Sequence, residues 1–253
     1  MAKKKRGSEK SQRKLLMVGP DAPFQYVEAY KSLRTNLEFL SASTGCKVIL
    51  ITSSVQEEGK SNVAINLAST MASGGKRVVL VDSDLRKGSL SRYLHLSHNR
   101  PGISNIVAGQ ATLNDALVRF KNVQFTLLPV GPLPPNPSEM LSLPAVEQMF
   151  DTLREYYDYI IVDTPPVSVV TDAAVMCRMA DGVVLVVRSG VTTIQGAQLS
   201  KKKLEAVGAR ILGVVLNGYD ARRIGRRDGY SYAYSYNYYA GDDQSEDKKA
   251  TLS

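Results

Sequence analysis

Three short stretches of the chain carry residues suited to phosphate and metal chemistry. The first runs from Ser54 to Ser61 (Ser-Val-Gln-Glu-Glu-Gly-Lys-Ser), between an apolar run and a helix-length segment. Such a loop offers backbone N–H groups and a helix N-terminus to phosphate oxygens. Lys60 adds an ammonium group for the β- and γ-phosphates, and Ser61 adds a hydroxyl for Mg²⁺. The stretch predicts a P-loop with Ser54 where a glycine usually stands; an ordinary glycine-containing turn is the alternative.

The other two stretches place carboxylates at strand ends. Val79–Arg86 reads Val-Leu-Val-Asp-Ser-Asp-Leu-Arg and contains Asp82 and Asp84, and 160–166 reads Ile-Ile-Val-Asp-Thr-Pro-Pro and contains Asp163. Ligands of open α/β sheets bind at the carboxyl ends of the strands. A buried carboxylate is costly unless it meets a cation, and nucleotide-bound Mg²⁺ supplies one. We expect the three aspartates to converge on the loop, although each alone also fits a helix N-cap.

The apolar pattern predicts the elements that position these residues. Strand-like runs fall at 47–52, 77–82, 125–130, 159–163, 183–187 and 211–216. Helix-length segments fall at 26–40, 61–73, 145–157, 172–179 and 193–206. Continuous apolar strands that alternate with helices predict a single α/β domain, with a mostly parallel central sheet and helices on both faces.

The composition excludes several protein classes. The 253 residues are 43% hydrophobic and 22% charged, which argues against wholesale disorder or a collagen-like chain. The two cysteines lie far apart and predict free thiols. No apolar run approaches the ~20 residues of a membrane-spanning helix, and no signal peptide is recognisable. We expect a cytoplasmic globular protein.

The charge is concentrated at the N-terminus. Residues 1–14 hold seven Lys/Arg and one Glu, which accounts for most of the net charge of +8. Such a segment attracts anionic lipid or is simply solvated, and nucleic acid is not an expected partner. We predict a basic flexible N-terminus over 1–20, a helical segment over 21–45, the main domain over 46–220 and a disordered tail over 221–253.

The predicted tail is rich in tyrosine. Six of the thirteen tyrosines fall within ten residues: Tyr230, Tyr232, Tyr234, Tyr236, Tyr238 and Tyr239. Without aliphatic neighbours these residues cannot build a core, so we expect them to be exposed to solvent. A structural or RNA-stacking role is the alternative.

Taken together, the P-loop, the DxDxR pattern after the second strand and the later DxxP pattern resemble the bacterial tyrosine kinases of capsule and exopolysaccharide synthesis. These kinases belong to a wider class of P-loop ATPases that includes MinD-type and ParA-type proteins. The segment that contains Glu28, Lys31 and Arg34 resembles the helical ExxRxxR oligomerisation motif of the kinases, with Lys31 in place of the first arginine. Glu57 departs from the family, which commonly has glycine there.

The resemblance implies transfer of the γ-phosphoryl group of ATP to tyrosine, with Mg²⁺ as cofactor. Lys60, Asp82 and Asp84 would be catalytic, and Asp82 would accept the tyrosine proton. The implied nucleotide-binding residues are Ser54, Glu58, Gly59, Lys60, Ser61, Asn62 and, for adenine, Asn217. The implied metal-binding residues are Ser61, Asp82, Asp84 and Asp163, and the tyrosine cluster would be the phosphoacceptor.

The resemblance also implies partners. The first is a separate transmembrane activator of the polysaccharide co-polymerase type, which would place the chain at the inner face of the membrane. The second is further copies of the chain, in a homo-oligomeric ring in which each tail enters a neighbouring site. A cognate tyrosine phosphatase and protein tyrosine substrates are also implied. One alternative is a MinD/ParA-like ATPase switch without kinase activity. The other is a non-catalytic adaptor whose tyrosines are modified by another kinase.

Overall fold

A mostly parallel sheet forms the centre of the molecule. A computed structural model describes residues 15–97 and 99–219. Its strands are β1 (Val48–Ser53), β2 (Val78–Asp82), β3 (Val118–Arg119), β4 (Thr126–Leu128), β5 (Tyr159–Asp163), β6 (Gly182–Arg188) and β7 (Ile211–Asn217). In space they are ordered β3-β4-β2-β5-β1-β6-β7. All neighbours are parallel except β3, which runs antiparallel to β4. The predicted fold class and all six predicted strands are confirmed.

Helices lie between the strands. They are α1 (Phe24–Thr44), α2 (Lys60–Ser73), α3 (Ser89–Tyr93), α4 (Ile103–Val107), α5 (Leu113–Ala116), α6 (Pro137–Leu141), α7 (Pro144–Tyr156), α8 (Asp172–Met176) and α9 (Ile194–Ala206). A 3-10 turn over Cys177–Met179 follows α8. The five predicted helices are present. The sequence did not predict α3, α4, α5 and α6, because four or five residues are too few for an apolar period to be visible.

Both faces of the sheet are covered, which explains why the strands are continuously apolar. Every residue of β1, β2 and β5 is buried. Successive residues of β1 enter opposite layers: Leu50 packs in the layer that contains Phe150 of α7, and Ile51 packs in the layer that contains Ile65 of α2. Removing one such side chain from water contributes about 1.5–3 kcal/mol. The strand ends are therefore rigid supports for the loops that follow them.

The chain before α1 is attached to α2. The buried amide of Asn66 accepts a hydrogen bond from Val18 N–H at 2.6 Å and donates one to the Leu16 carbonyl at 2.9 Å. Residues 15–18 of the predicted basic segment therefore lie against the domain, and 1–14 lie outside the described residues. The predicted tail 221–253 lies outside them as well, so the domain boundaries stay predictions. None of the described helices is both long enough and apolar enough to cross a membrane.

Candidate active site

The loop predicted to bind phosphate joins β1 to α2. Gly59 ends the loop with a φ of +92°, a left-handed conformation that glycine adopts without strain. A Cβ at this position would also overlap the side-chain amide of Asn217. The chain turns directly from Gly59 into α2, whose free N–H groups and dipole favour an anion. This is the backbone geometry that a P-loop requires.

The strand order brings the three predicted aspartates to one edge of the sheet. β2 and β5 are neighbours, and Asp82 stands opposite Asp163 in their register. The backbone N–H and the hydroxyl of Ser83 both donate to the Asp163 carbonyl, at 2.9 and 3.0 Å, and tie the two strand ends together. Asp82 and Asp163 are fully buried, and Asp84 is 3% exposed. β1 lies on the other side of β5, so the loop is next to these carboxylates.

Lys60 lies among the carboxylates. Its Nζ is 3.3 Å from Asp163 Oδ1, 3.4 Å from Asp84 Oδ2 and 3.2 Å from the hydroxyl of Ser61. Burial alone would lower the pKa of Lys60, but the charges of the three aspartates raise the pKa above its ordinary value. The lysine therefore stays charged and compensates buried negative charge.

Asp82 is a buried carboxylate with a strongly raised pKa. Burial and the charge of Asp163 raise its pKa to about 8, although a hydrogen bond from Leu90 N–H opposes the shift. The pKa of Asp163 is also raised by burial, against the lowering effect of the Lys60 charge. A carboxylate whose pKa lies near neutral pH can accept a proton from a substrate and release it again.

The residues present fit a magnesium ion. Asp84, Asp163 and Ser61 surround one point, the Lys60 ammonium, and all three offer the oxygen ligands that Mg²⁺ prefers. Among residues 15–97 and 99–219, no three Asp, Glu, His or Cys side chains are arranged to hold a metal by themselves. This agrees with Mg²⁺, which usually binds one or two carboxylates and completes its shell with water and phosphate oxygens.

Contacts from the opposite side of β1 fix the shape of the loop. The buried Glu58 carboxylate accepts hydrogen bonds from Val55 N–H at 2.8 Å and from the Thr192 hydroxyl. The Asn217 amide donates to the Glu58 carbonyl at 2.8 Å. Sequence reasoning selected Glu58 and Asn217 but missed Thr192. The only signal in the sequence was the position of Thr192 after a strand whose end reaches the same edge.

Glu57 is the residue that departs from the family pattern. Its φ of +65° places a non-glycine residue in the left-handed region. Arg188 Nη1, at the end of β6, donates to the Glu57 carbonyl at 3.2 Å and so helps to hold this conformation. The sequence analysis did not predict that Arg188 would bind the Glu57 carbonyl.

The side chains of Ser54 and Asn62, two other predicted nucleotide-binding residues, lie in different surroundings. The Ser54 hydroxyl is buried and has no hydrogen-bond partner in the described part of the chain. The Asn62 side-chain oxygen accepts hydrogen bonds from Tyr26 at 2.9 Å and Tyr30 at 3.3 Å, so this amide faces α1. Only the backbone N–H of Asn62 remains for a role at the loop, and that role stays a prediction.

The predicted oligomerisation residues make contacts within the chain. Lys31 pairs with Glu28 at 2.7 Å on the exposed face of α1. Arg34 Nη1 donates to the Thr70 carbonyl at 3.1 Å, near the end of α2. Glu28 and Lys31 thus remain accessible to a partner, whereas Arg34 already stabilises the packing of α1 on α2. All six predicted phosphoacceptor tyrosines lie outside the described residues.

Comparison with known proteins places this site in a family. A protein-family model described as an AAA domain matches residues 46–211. The tyrosine-protein kinase YwqD of Bacillus subtilis is 34% identical over 230 residues, which cover 91% of this chain and 94% of YwqD. The chain belongs to the bacterial tyrosine-protein kinases. As a member, the kinase is an enzyme of the protein-tyrosine kinase class, as the sequence predicted.

Solved structures agree with this assignment. The chimerical protein CapA2B2 aligns with the kinase at a TM-score of 0.73 and 35% identity, over 79% of this chain and 86% of the chimera. The kinase domain of Escherichia coli ETK aligns at a TM-score of 0.75 and 36% identity, over 77% of this chain and 76% of that domain. A MinD protein from Pyrococcus horikoshii aligns at 0.59 with 24% identity over 71% of this chain and 74% of MinD, which shows a shared fold alone.

We predict that Glu57→Gly stabilises the nucleotide-free kinase. Glycine relieves the left-handed strain but adds freedom to the unfolded chain, so the net gain in the free energy of unfolding is about 0.5–1 kcal/mol. Chemical denaturation measures it. Glu57→Ala keeps the strain and removes the charge, so it should give no gain. An equal gain in both variants would show that charge, not backbone strain, limits stability here.

We predict that Asp82→Asn stabilises the nucleotide-free kinase increasingly as pH rises from 5.5 to 8.5. Because Asp82 binds its proton more tightly when folded, wild-type stability falls as pH rises from the ordinary pKa toward about 8. Asparagine does not ionise, so the variant avoids this loss of stability at high pH. Thermal unfolding at both pH values tests the prediction.

Asp158→Asn is the control for this measurement. The Arg77 guanidinium lowers the pKa of the Asp158 carboxyl below its ordinary value, so the group titrates below the tested range. Its substitution should lower stability by a constant amount at both pH values. A pH-independent effect of Asp82→Asn would contradict the raised pKa.

Proposed function

We propose that this kinase transfers the γ-phosphoryl group of ATP to tyrosine hydroxyls, including those of its own cluster Tyr230–Tyr239. One observation carries the proposal: Lys60 and three buried carboxylates converge at the loop that precedes α2. A cation at a phosphate-binding loop and a carboxylate with a pKa near neutral are the two groups that phosphoryl transfer to a hydroxyl requires.

Each residue has a distinct task in the proposed reaction. The loop amides and the N-terminus of α2 bind the phosphates, and Lys60 Nζ neutralises charge on the group in transfer. A tyrosine hydroxyl has a pKa near 10 and is a poor nucleophile at neutral pH. In its deprotonated form, Asp82 accepts the tyrosine proton while the bond between the γ-phosphorus and the ADP oxygen breaks, and its raised pKa gives that form a high affinity for the proton. Asn217, whose amide donates to the loop, contacts the adenine ring of ATP.

Magnesium completes the proposed site. Ser61, Asp84, Asp163 and, through water, Asp82 would hold the ion. When bound, Mg²⁺ supplies positive charge that stabilises the phosphate oxygens during transfer. Lys60 Nζ contacts two of these proposed ligands, Asp84 and Asp163.

We propose that the tail is phosphorylated in trans within a homo-oligomeric ring. Tyr230 lies thirteen positions after Asn217 in the sequence, a stretch that spans roughly 43 Å when extended, at about 3.3 Å per residue. This length suffices to reach a neighbouring site. Repeated head-to-tail contacts close into a ring when the rotation permits, and Glu28 and Lys31 offer an exposed charged surface for such a contact. Phosphates on the tail would add negative charge and favour dissociation.

We further propose that a separate membrane protein activates the kinase and recruits it to the inner face of the membrane. Support comes from the solved chimera whose name joins CapA to CapB and from the basic residues 1–14, which suit an anionic surface. In this proposal the kinase controls capsule or exopolysaccharide synthesis, a tyrosine phosphatase reverses its action, and further protein tyrosines are substrates.

We predict that Mg·ATP leads to phosphate on Tyr230–Tyr239 in wild type and none in Lys60→Met. The substitution removes the cation of the site and leaves buried carboxylates uncompensated, so thermal unfolding must first show that the variant is folded. Phosphotyrosine mapping by mass spectrometry, with and without the cytoplasmic segment of the activator, gives the readout. Lys87→Met is the matched control: it removes an exposed lysine at the same edge, whose Nζ donates to the Gln56 side chain at 3.0 Å, and should stay active.

Two results would contradict this proposal. If ATP is hydrolysed while every tyrosine stays unmodified, even with the activator segment, the chain acts as an ATPase switch. If Lys60→Met is folded and its tail is still phosphorylated by the purified protein, the site described above is not the site of transfer.

We predict transfer in trans when two kinds of subunit are mixed. One is a Lys60→Met chain with its tail, and the other is an active chain that ends before Tyr230. Phosphate should appear on the tail of the inactive chain and increase with total concentration until the ring forms. Inactive chains alone are the control. Absence of phosphate from that tail, while wild type modifies itself, would show transfer in cis.

A further inference from the structure

Arg86, the last residue of the DxDxR pattern, has no role in the proposed reaction. Its guanidinium makes two parallel contacts with Asp172, from Nε to Oδ2 and from Nη2 to Oδ1, both at 2.9 Å. The Asp172 carboxylate is fully buried, and the hydroxyl of Ser138 donates to its Oδ1 at 2.6 Å. A bidentate pair with one fully buried partner is stronger and more directional than an ion pair between two surface groups, and here Asp172 is fully buried while the Arg86 side chain is 40% exposed.

The pair connects three loops at the carboxyl edge of the sheet. Arg86 follows β2, two residues after Asp84; Ser138 lies in α6, after β4; and Asp172 begins α8, after β5. All three loops leave the edge that carries the candidate active site. Asp172 is thus held from two sides by elements that are distant in the sequence.

The segment between Asp163 and Asp172 is fixed at both ends. At the strand end, Thr164 N–H donates to the Ile51 carbonyl at 3.1 Å and Val167 N–H donates to the Ser53 carbonyl at 3.0 Å. In the middle, the Ser168 hydroxyl lies 3.0 Å from that of Ser200 in α9. At the far end, Asp172 is held by Arg86 and Ser138 together. Loss of the Arg86 contact would loosen the part that leads into α8, residues 169–172, while the attachments to β1 and α9 remain.

We propose that Arg86 is a positioning residue that clamps the segment after Asp163 to the loop that carries Asp84. Arg86 touches neither substrate nor the reacting atoms; it acts through Asp172. The clamp keeps the two carboxylate-bearing loops at a constant separation around Lys60. Its consequence for the reaction rests on the proposed function, whereas the clamp itself does not.

A second Arg–Asp pair in the same chain provides the control. Arg77 also binds Asp158 in a bidentate manner, with Nη2 to Oδ1 at 2.7 Å, but at the opposite edge of the sheet. The Arg77 side chain is 63% exposed and that of Asp158 is 36% exposed, whereas Asp172 is fully buried. Substitutions in this pair reproduce the chemical change without affecting the loops of the candidate site.

The experiment uses the full chain and two variants of each pair. Arg86→Lys keeps the charge but loses the two-point contact. The double variant Arg86→Ala/Asp172→Ala removes both partners, which avoids an unpaired buried carboxylate if single variants unfold. Arg77→Lys and Arg77→Ala/Asp158→Ala are the matched controls. Hydrogen exchange of the amides 169–172 in the nucleotide-free protein reports on the clamp, and kcat and KM for ATP report on the reaction.

We expect exchange over 169–172 to be at least about tenfold faster in the Arg86 double variant, with β2, β5 and the β1-bonded amides of Thr164 and Val167 unchanged. We expect kcat for tyrosine phosphorylation to fall about 10- to 100-fold while KM for ATP stays within about twofold, because displaced catalytic groups slow the transfer more than binding. Arg86→Lys should be intermediate in both, and the Arg77 variants should match wild type.

Unchanged exchange in the double variant would overturn the clamp. Faster exchange with unchanged kcat would restrict Arg86 to a structural role and overturn positioning. If wild type phosphorylates no tyrosine, the proposed function fails, and the exchange measurement still decides whether the clamp exists.

Discussion

The ammonium group of Lys60 among three buried carboxylates is the interaction on which the site depends. Each charge alone would cost several kcal/mol to remove from water, and the cluster holds more negative than positive charge. Burial raises the pKa of Asp82 to about 8, and the neighbouring charge of Asp163 adds to this shift. A site in this condition has a strong electrostatic preference for further positive charge, which is the property that a magnesium nucleotide site needs.

Such a cluster persists only on a rigid support, and the strand order provides one. β2, β5 and β1 are adjacent, and each is buried on both faces by two layers of helices. Displacing a strand end would open cavities in a close-packed interior. The cost of assembling like charges is therefore offset by packing in strands that carry no charge until their final residues. The double contact of Ser83 with the Asp163 carbonyl joins two of these ends directly.

Sequence predicted what local signals encode. The strands, the loop and the aspartates at strand ends were visible because apolar runs and turn residues are contiguous in the chain. β3 and the helices α3 to α6 were not visible, since segments of two to five residues show no apolar period. Contacts between distant segments were also invisible: Thr192 binds Glu58 across 134 residues. The orientation of Asn62 toward α1 was missed because the residue belongs to a motif that suggests another role.

The two sides of β1 make different contributions to the site. Toward β5 and β2, the neighbouring strands supply charge: the carboxylates and the groups that hold them. Toward β6 and β7, the neighbours supply shape, because Arg188 and Asn217 bind carbonyls of the loop and Thr192 fixes Glu58. The left-handed Glu57 is supported from the second side, where the Arg188 side chain donates to its carbonyl. Departures from the family pattern in this loop therefore alter conformational stability first, while the charge that acts on phosphate is set by strands that the departures do not touch.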